Sequence, residues 1–525
     1  MDPAASSWTT ALLALYYLIL GVLALFGLHR LRLVWIWWRT RDEEPPAPPA
    51  PSAWPRVTVQ LPLYNELYVA ERLIEAVCRL DYPRDRLEIQ VLDDSTDETR
   101  DVVARAVARF RAEGLDVHHL HREERTGYKA GALAAGLERA TGELVAIFDA
   151  DFVPAPDFLR RTVPFFADPH RGPGLGMVQA RWAHLNRSYS LLTRIQALLL
   201  DGHFRIEHAA RNRGGCFFNF NGTAGVWRRR AIEDAGGWAA DTLTEDLDLS
   251  YRAQLAGWRF LYLPDLGVPS ELPVDANGFK SQQHRWARGS VQTGRKLLPR
   301  ILRAPVAPRV KLEALVHLTN NLAYPLMVVL SLLVFPAMVL RRGGGLGEVL
   351  LVDLPLFLGA TVSVLVFYAA SQVAGGGRWR RELRFLPALL GLGIGLSVSN
   401  ARAVLGGLVR RGGAFVRTPK YRIEDRPGIR EGLDWRRLRY RAGRSSTVVL
   451  EGLLALYFAG VFVLAIQWGM WLSLPFLALF LHGYGAMFAL TLAGAFGDGV
   501  RAVAANGRRG MRPLPGRRSR APAGE

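Results

Sequence analysis

The chain has 525 residues, half of them hydrophobic, with 66 basic against 47 acidic side chains and two cysteines. That length accommodates a catalytic domain and more, the hydrophobic share excludes a disordered or fibrous chain, and Cys78 and Cys216 alone cannot build a disulfide framework. The net charge of +19 raises nucleic acid as a partner, but no nucleic-acid-binding module is present, and the basic residues gather at the ends of apolar segments, as in membrane proteins.

Residues 1–44 hold a first membrane helix. Its apolar run, 11–28, is about long enough to span a bilayer. It is followed by His29, Arg30 and Arg32, then Trp35, Trp37, Trp38 and Arg39, a basic and aromatic interface belt. Asp2 is the only charge before the run, unlike a cleavable signal peptide, so the helix is expected to be retained with its C-terminal end cytoplasmic. A Pro-rich linker, 45–55, leads into a stretch without long apolar runs, 56–302.

Within that stretch 56–61 reads as a buried strand, 69–80 as a helix, 87–92 as a second strand, 98–113 as a helix and 144–148 as a third strand. Strands alternating with helices predict a parallel sheet with crossover helices, and such sheets bind ligands beyond the carboxyl ends of their strands. The clusters Tyr64-Asn65-Glu66, Asp93-Asp94-Ser95-Thr96-Asp97 and Asp149-Ala150-Asp151 all fall at such ends. Asp149 and Asp151, one residue apart, can address one divalent cation bridging a diphosphate, and Mg2+ or Mn2+ suits oxygen ligands. An isolated Asp-x-Asp is more often a solvated turn. No phosphate-binding Gly-x-x-x-x-Gly-Lys loop or well-placed Gly-x-Gly-x-x-Gly is present, which weighs against an ATPase or a dinucleotide enzyme. Further on, Asp246 in Thr244-Glu245-Asp246 is a candidate general base or a helix cap. In Gln282-Gln283-His284-Arg285-Trp286, Arg285 can offset charge on a departing diphosphate, and Trp286 offers a flat face to a sugar ring or an anchor at the membrane surface.

Apolar runs return in the region 303–500, at 312–340, 349–374, 385–408, 448–468 and 471–493. If 385–408 lies in the interface as an interfacial or re-entrant segment, the basic stretches 378–384 and 409–445 are both cytoplasmic, as the positive-inside rule prefers. Five spanning helices are therefore expected, with Arg341 and Arg342 outside and a basic cytoplasmic tail at 501–525. In the first of these runs Asn320, Asn321 and Tyr324 are polar groups at membrane depth, which face a wet channel or other helices.

The ordered series Leu61-Pro-Leu-Tyr-Asn-Glu66, Asp93-Asp-Ser-Thr-Asp97, Asp149-Ala-Asp151, Phe220-Asn-Gly-Thr-Ala-Gly-Val-Trp227, Thr244-Glu-Asp246 and Gln282-Gln-His-Arg-Trp286 resembles the family 2 inverting glycosyltransferases, within the processive cellulose-synthase superfamily. It looks most like the cellulose-synthase-like A and C groups, which make β-1,4-mannan or glucomannan and β-1,4-glucan backbones. The resemblance implies an α/β GT-A (nucleotide-diphospho-sugar transferase) cytoplasmic domain plus an α-helical multi-pass transmembrane region, in an integral plasma- or inner-membrane protein. It implies a UDP-glucose or GDP-mannose donor, with Asp94 and the loop from Tyr64 to Glu66 at the nucleoside, Lys129 at the diphosphate, and Asp149 and Asp151 at the nucleotide and metal. Glu245 joins the donor-binding set, Asp246 is the base, and Gln282, Arg285 and Trp286 hold the polysaccharide acceptor and the leaving diphosphate. Phe415-Val-Arg-Thr-Pro-Lys420 resembles the gating loop that closes over bound donor, with Phe415, Thr418 and Lys420 matching and Arg417 standing where that pattern has Val. Two rivals share parts of the series: a non-processive enzyme adding one sugar to a membrane lipid, and a membrane protein that only senses a nucleotide sugar.

Overall fold

The computed structural model describes residues 3–43, 46–341, 354–376, 379–425, 435, 438–443 and 445–509. Seven strands form one sheet: β1 (Val57–Leu63), β2 (Leu87–Asp93), β3 (Asp116–His121), β4 (Leu144–Ile147), β5 (Leu175–His184), β6 (Gly225–Arg228) and β7 (Arg259–Ser270). Their order is β3-β2-β1-β4-β6-β5-β7. The first four run parallel, β6 is antiparallel to both β4 and β5, and β7 lies parallel to β5. This is the mixed α/β sheet of the GT-A fold.

Both faces of the sheet are covered: β4 is apolar throughout, while β1 and β2 alternate apolar residues with the buried polar pairs Thr58–Glu88 and Gln60–Gln90, hydrogen-bonded across the two strands. The alternation of side chains is plain in β4, where Leu144 and Ala146 join one core with Val57, Val59 and Ile89, while Val145 and Ile147 join the opposite core with Trp227 and Leu249. Expected strands 56–61, 87–92 and 144–148 correspond to β1, β2 and β4, and expected helices 69–80 and 98–113 to Ala70–Cys78 and Thr99–Ala112. Strands β3, β5, β6 and β7 are additions to that reading.

Among the described residues, five helices are long and apolar enough to cross a membrane: Ser7–Thr40, Pro308–Leu340, Trp379–Val409, Val448–Gln467 and Trp471–Ala493. The set differs from the expected one. Of the run 349–374, the described part supplies a shorter apolar helix, Leu358–Ala374, with 349–353 outside the described residues, whereas 385–408 belongs to a helix of spanning length. Helix Leu474–Arg509 also continues past the expected end at 493, into the segment read as a tail; 510–525 and 426–434 lie outside the described residues.

The first helix, Pro3–Thr40, has 38 residues, about 57 Å at 1.5 Å per residue, and so outruns a bilayer core. Its far end docks on the catalytic domain through Glu313. That buried carboxylate accepts from Arg32 at 2.7 Å and from Arg211 at 2.9 Å, and lies 2.9 Å from His29 Nε2. A second buried pair, Lys280 to Glu451 at 2.6 Å, ties helix Ala276–Arg303 to helix Val448–Gln467; Lys280 also donates to Thr491, and Thr447 to the same Glu451 oxygen. Removing one partner of a buried pair strands the other charge. Glu451→Ala should therefore destabilise the protein by about 3–5 kcal/mol, read as a lower thermal midpoint in detergent, while Arg230→Ala, at an exposed pair with Asp234, should shift it far less.

Candidate active site

The carboxyl ends of β1, β2 and β4 open onto one cleft. Every site residue named from the sequence lines it: Tyr64, Glu66, Asp94, Lys129, Asp149, Asp151, Glu245, Asp246, Gln282, Arg285, Trp286, Phe415, Thr418 and Lys420. Three later stretches, 243–246, 270–286 and 415–420, supply further lining residues.

At one end, Asp94 follows β2 and is held by Arg122 through two hydrogen bonds, 2.8 and 2.6 Å. Beside it the Arg125 guanidinium lies 3.5 Å from the centre of the Tyr64 ring and 5.0 Å from that of Tyr128. Such a cation–aromatic stack is a rigid flat shelf. Four non-glycine residues have left-handed backbones among the described residues, Asn65, Tyr128, Ala224 and Arg422. Each lies within two residues of a cleft-lining side chain, the sites where backbone strain concentrates.

In the middle, Lys129 enters from the first turn of helix Tyr128–Arg139 and donates to Asp149 Oδ1 at 2.5 Å and to the Gly222 carbonyl at 2.9 Å. Burial pulls its ammonium down, but Asp149, Glu245 and Asp246 outweigh that and hold it above its ordinary value. Asp246 sits in the first turn of helix Glu245–Leu255. Its Oδ1 accepts from the adjacent Leu247 N–H at 2.8 Å, but the N-cap of the helix is Thr244, so the carboxylate is not the cap, and its other oxygen faces Gly222. Gly222 has φ +79°, and a Cβ there would stand 3.0 Å from Asp246 Oδ2 and 3.2 Å from Lys129 Nζ. Glycine thus keeps open the space in front of the carboxylate. Burial, reinforced by the neighbouring Glu245, pushes the Asp246 carboxyl up to about 7.

Asp149 and Asp151 suit a hard divalent cation. Asp151 Oδ2 accepts from the Glu271 N–H and from Lys420, and Asp149 Oδ1 from Lys129, while Asp149 Oδ2 and Asp151 Oδ1 take no hydrogen bond among the described residues. Two free carboxylate oxygens at one strand end match the oxygen ligands that Mg2+ and Mn2+ prefer.

Helix Ala276–Arg303 forms the far wall. Its N-cap Asp275 accepts from the Gly278 N–H, and the 282, 285, 286 spacing puts Gln282, Arg285 and Trp286 on one face. The Trp286 ring is 6.2 Å from that of Trp182 on β5, which packs in turn on Phe152 and Phe204. Arg285 lies over the Phe415 ring at 4.3 Å and donates to the Val416 carbonyl. Phe415 also stacks near Tyr128, 6.3 Å between centres. The 415–420 segment is therefore folded into the cleft. Lys420 reaches Asp151 at 2.8 Å. Arg417, the departure from the family pattern, pairs with Glu66 at 3.2 Å, replacing an apolar contact by an ionic one; burial nevertheless outweighs Arg417 and pushes Glu66 up to about 8. Glu271 clamps the segment, accepting from the Tyr421 and Arg422 N–H groups at 2.8 Å each.

Arg122, Arg125, Trp182, Asn221 and Glu271 were not singled out from sequence. Asn221 and Gly222 lie inside the quoted 220–227 motif, but no role was attached to them. Glu271 and Trp182 become visible only once β7 and β5 are known, since both sit at or near strand ends facing the cleft.

A glycosyltransferase like family 2 model matches residues 55–289. Glucomannan 4-beta-mannosyltransferase 2 of Arabidopsis thaliana is 49% identical over 256 residues, 48% of this chain and 47% of that one. Glucomannan 4-beta-mannosyltransferase 1 of Oryza sativa subsp. japonica is 47% identical over 256 residues, 48% of this chain and 49% of that one. The chain spans about half the length of the curated relatives it matches. Among solved structures, the mannosyltransferase PcManGT from Pyrobaculum calidifontis, in complex with GDP-Man and Mn2+, is 23% identical with a TM-score of 0.49, covering 75% of this chain and 99% of that one. Residues 55–289 are a glycosyltransferase-like family 2 domain.

Proposed function

We propose that this protein is a membrane-embedded inverting hexosyltransferase that extends a β-1,4-linked polysaccharide from a nucleotide-diphospho-sugar and passes the product across the membrane. One observation carries the reading: Asp246 faces the open space before Gly222, beside Lys129 and Asp149, with its carboxyl raised to about 7. A sensor of nucleotide sugars has no need of a base poised near neutrality. GDP-mannose is favoured over UDP-glucose by the activity named for the relatives.

In this reading the Tyr64–Arg125 shelf and Asp94 receive the nucleoside, and Lys129 and Arg285 meet the diphosphate. Asp149 and Asp151 would hold Mg2+ or Mn2+, which when bound offsets diphosphate charge. Trp286 and Trp182 stack against the acceptor, whose hydroxyl gives its proton to Asp246 as it attacks the anomeric carbon from the face opposite the nucleotide, inverting that centre. Because Lys420 already sits on Asp151, donor and metal binding must rearrange the 415–420 segment, which supports its role as a gate.

Helix Leu386–Val409 is fastened to the catalytic domain at both ends. Before it, Glu382 pairs with Arg187 and Arg194; after it, the Gly412 N–H donates to the Asp241 carbonyl and Gln292 donates to that of Arg410. A helix that starts and finishes on one domain supports the interfacial placement and a cytoplasmic gate. The polar turn Asn320–Leu322, with Tyr324 just beyond, interrupts the helices Pro308–Thr319 and Ala323–Leu340, and we assign it to the polymer's exit path.

Four outcomes are expected. Protein in vesicles given GDP-mannose or UDP-glucose separately, with Mg2+ or Mn2+, should make a long product from GDP-mannose that β-mannanase digests; a single-sugar lipid product would sink the polymer reading. Asp246→Asn should lower turnover by about 10²–10⁴-fold while donor binding persists. In the unaltered protein kcat/KM should fall as pH drops through about 7, because the raised carboxyl is protonated, and useless as a base, below that value. Asn320→Leu with Asn321→Leu should leave donor turnover intact and stall polymer export; unchanged export would remove these residues from the path.

A further inference from the structure

Strand β3 is the edge of the sheet, and its sequence, Asp116-Val-His-His-Leu-His121, places three histidines beside the end of β2. The parallel register sets His119 opposite Val91 and His121 opposite Asp93. Strand alternation therefore sends His119 and His121 to one face and His118 to the other, where it meets Asp116 and Arg111 instead. The ligand atoms of Asp93, His119 and His121 all lie within 4.8 Å of one another.

We propose that Asp93, His119 and His121 bind one transition-metal dication of the Zn2+ type, at a site separate from Asp149 and Asp151. Asp93 Oδ2 is 2.8 Å from His119 Nε2 and 3.7 Å from His121 Nδ1. Ligands about 2.0–2.1 Å from a tetrahedral ion stand roughly 3.4 Å apart, so these separations bracket the requirement and small side-chain adjustments meet it. His121 Nδ1 is buried and has no hydrogen-bond partner, an acceptor-capable atom aimed at the gap. Both imidazoles remain 18% exposed, enough for an ion to enter from the sheet edge, with water as the fourth ligand. Two imidazoles and one carboxylate select a borderline cation such as Zn2+ over Mg2+, whereas Asp149 and Asp151 offer only oxygen.

The consequence falls on the nucleoside end of the cleft. The Arg122 N–H donates to the Asp93 carbonyl at 3.1 Å, and the Arg122 side chain holds Asp94. An ion joining β2 to β3 at this point fixes the start of the segment carrying both Arg122 and Arg125.

The test uses the full chain in detergent, purified without a polyhistidine tag and stripped by chelator. It should take up Zn2+ to about one ion per chain, and Co2+ in its place should give the visible d–d bands of a four-coordinate site. His119→Ala with His121→Ala should lose the uptake and the bands but keep Mg2+- or Mn2+-dependent donor turnover, and His118→Ala should keep all three. Zn2+ uptake equal in the unaltered and double-variant proteins, or an unaltered protein that shows no Co2+ bands, would overturn the proposal. Should the double variant fail to fold, the Co2+ spectra of the unaltered and His118→Ala proteins decide, bands in both supporting the site and their absence refuting it.

Discussion

The structure turns on how four carboxylates are kept together. Asp149, Asp151, Glu245 and Asp246 line one cleft, and like charges this close repel strongly where water is scarce. Lys129 answers the first from below and Lys420 the second from above, with Arg285 on the far wall. The two lysines are far apart in the chain, one from a helix start in the catalytic domain and one from the segment between the long apolar helices Trp379–Val409 and Val448–Gln467. Charge balance in the cleft thus requires that the 415–420 segment, or something equally cationic, be present. In the proposed reading a divalent ion between Asp149 and Asp151 would be that replacement, and the exchange would free the segment to move.

The same logic governs the join to the membrane. Glu313 lies in helix Pro308–Thr319 and collects Arg32 from the first helix and Arg211 from the catalytic domain. A buried carboxylate with several charge-assisted partners is costly to break, so the three elements keep one geometry. Helix Ala276–Arg303 carries the acceptor wall and is locked at Lys280 to Glu451. The cleft is consequently held against the long apolar helices by ion pairs rather than by a flexible tether.

Much of this was legible in the sequence because the signals were local. Strands β1, β2 and β4 are short apolar runs ending in acidic clusters, and the order of the motifs fixed where the cleft would be. What escaped depended on pairing. Strand β3, with its charged and histidine-rich sequence, has no apolar run because it is an edge; Asp93 and His121 meet only through a register that no periodicity displays. Strand β7 contains Pro264 and Pro269, which hide it from propensity, and with it went Glu271, the clamp on the gate. Among the membrane segments, 385–408 is ambiguous in composition, since its small and polar residues Gly391, Ser397 and Asn400 are buried by protein neighbours rather than by lipid.

Lysine scarcity, a quirk of composition, acquires a practical meaning. Four of the five lysines are held in ion pairs: Lys129, Lys280, Lys296 and Lys420. An ammonium clasped by a carboxylate reacts slowly with electrophiles, and Lys420 is released only if the 415–420 segment lifts. Amine chemistry on this protein therefore has little background, and the modification rate at that one side chain becomes a clock for how often the cleft stands open.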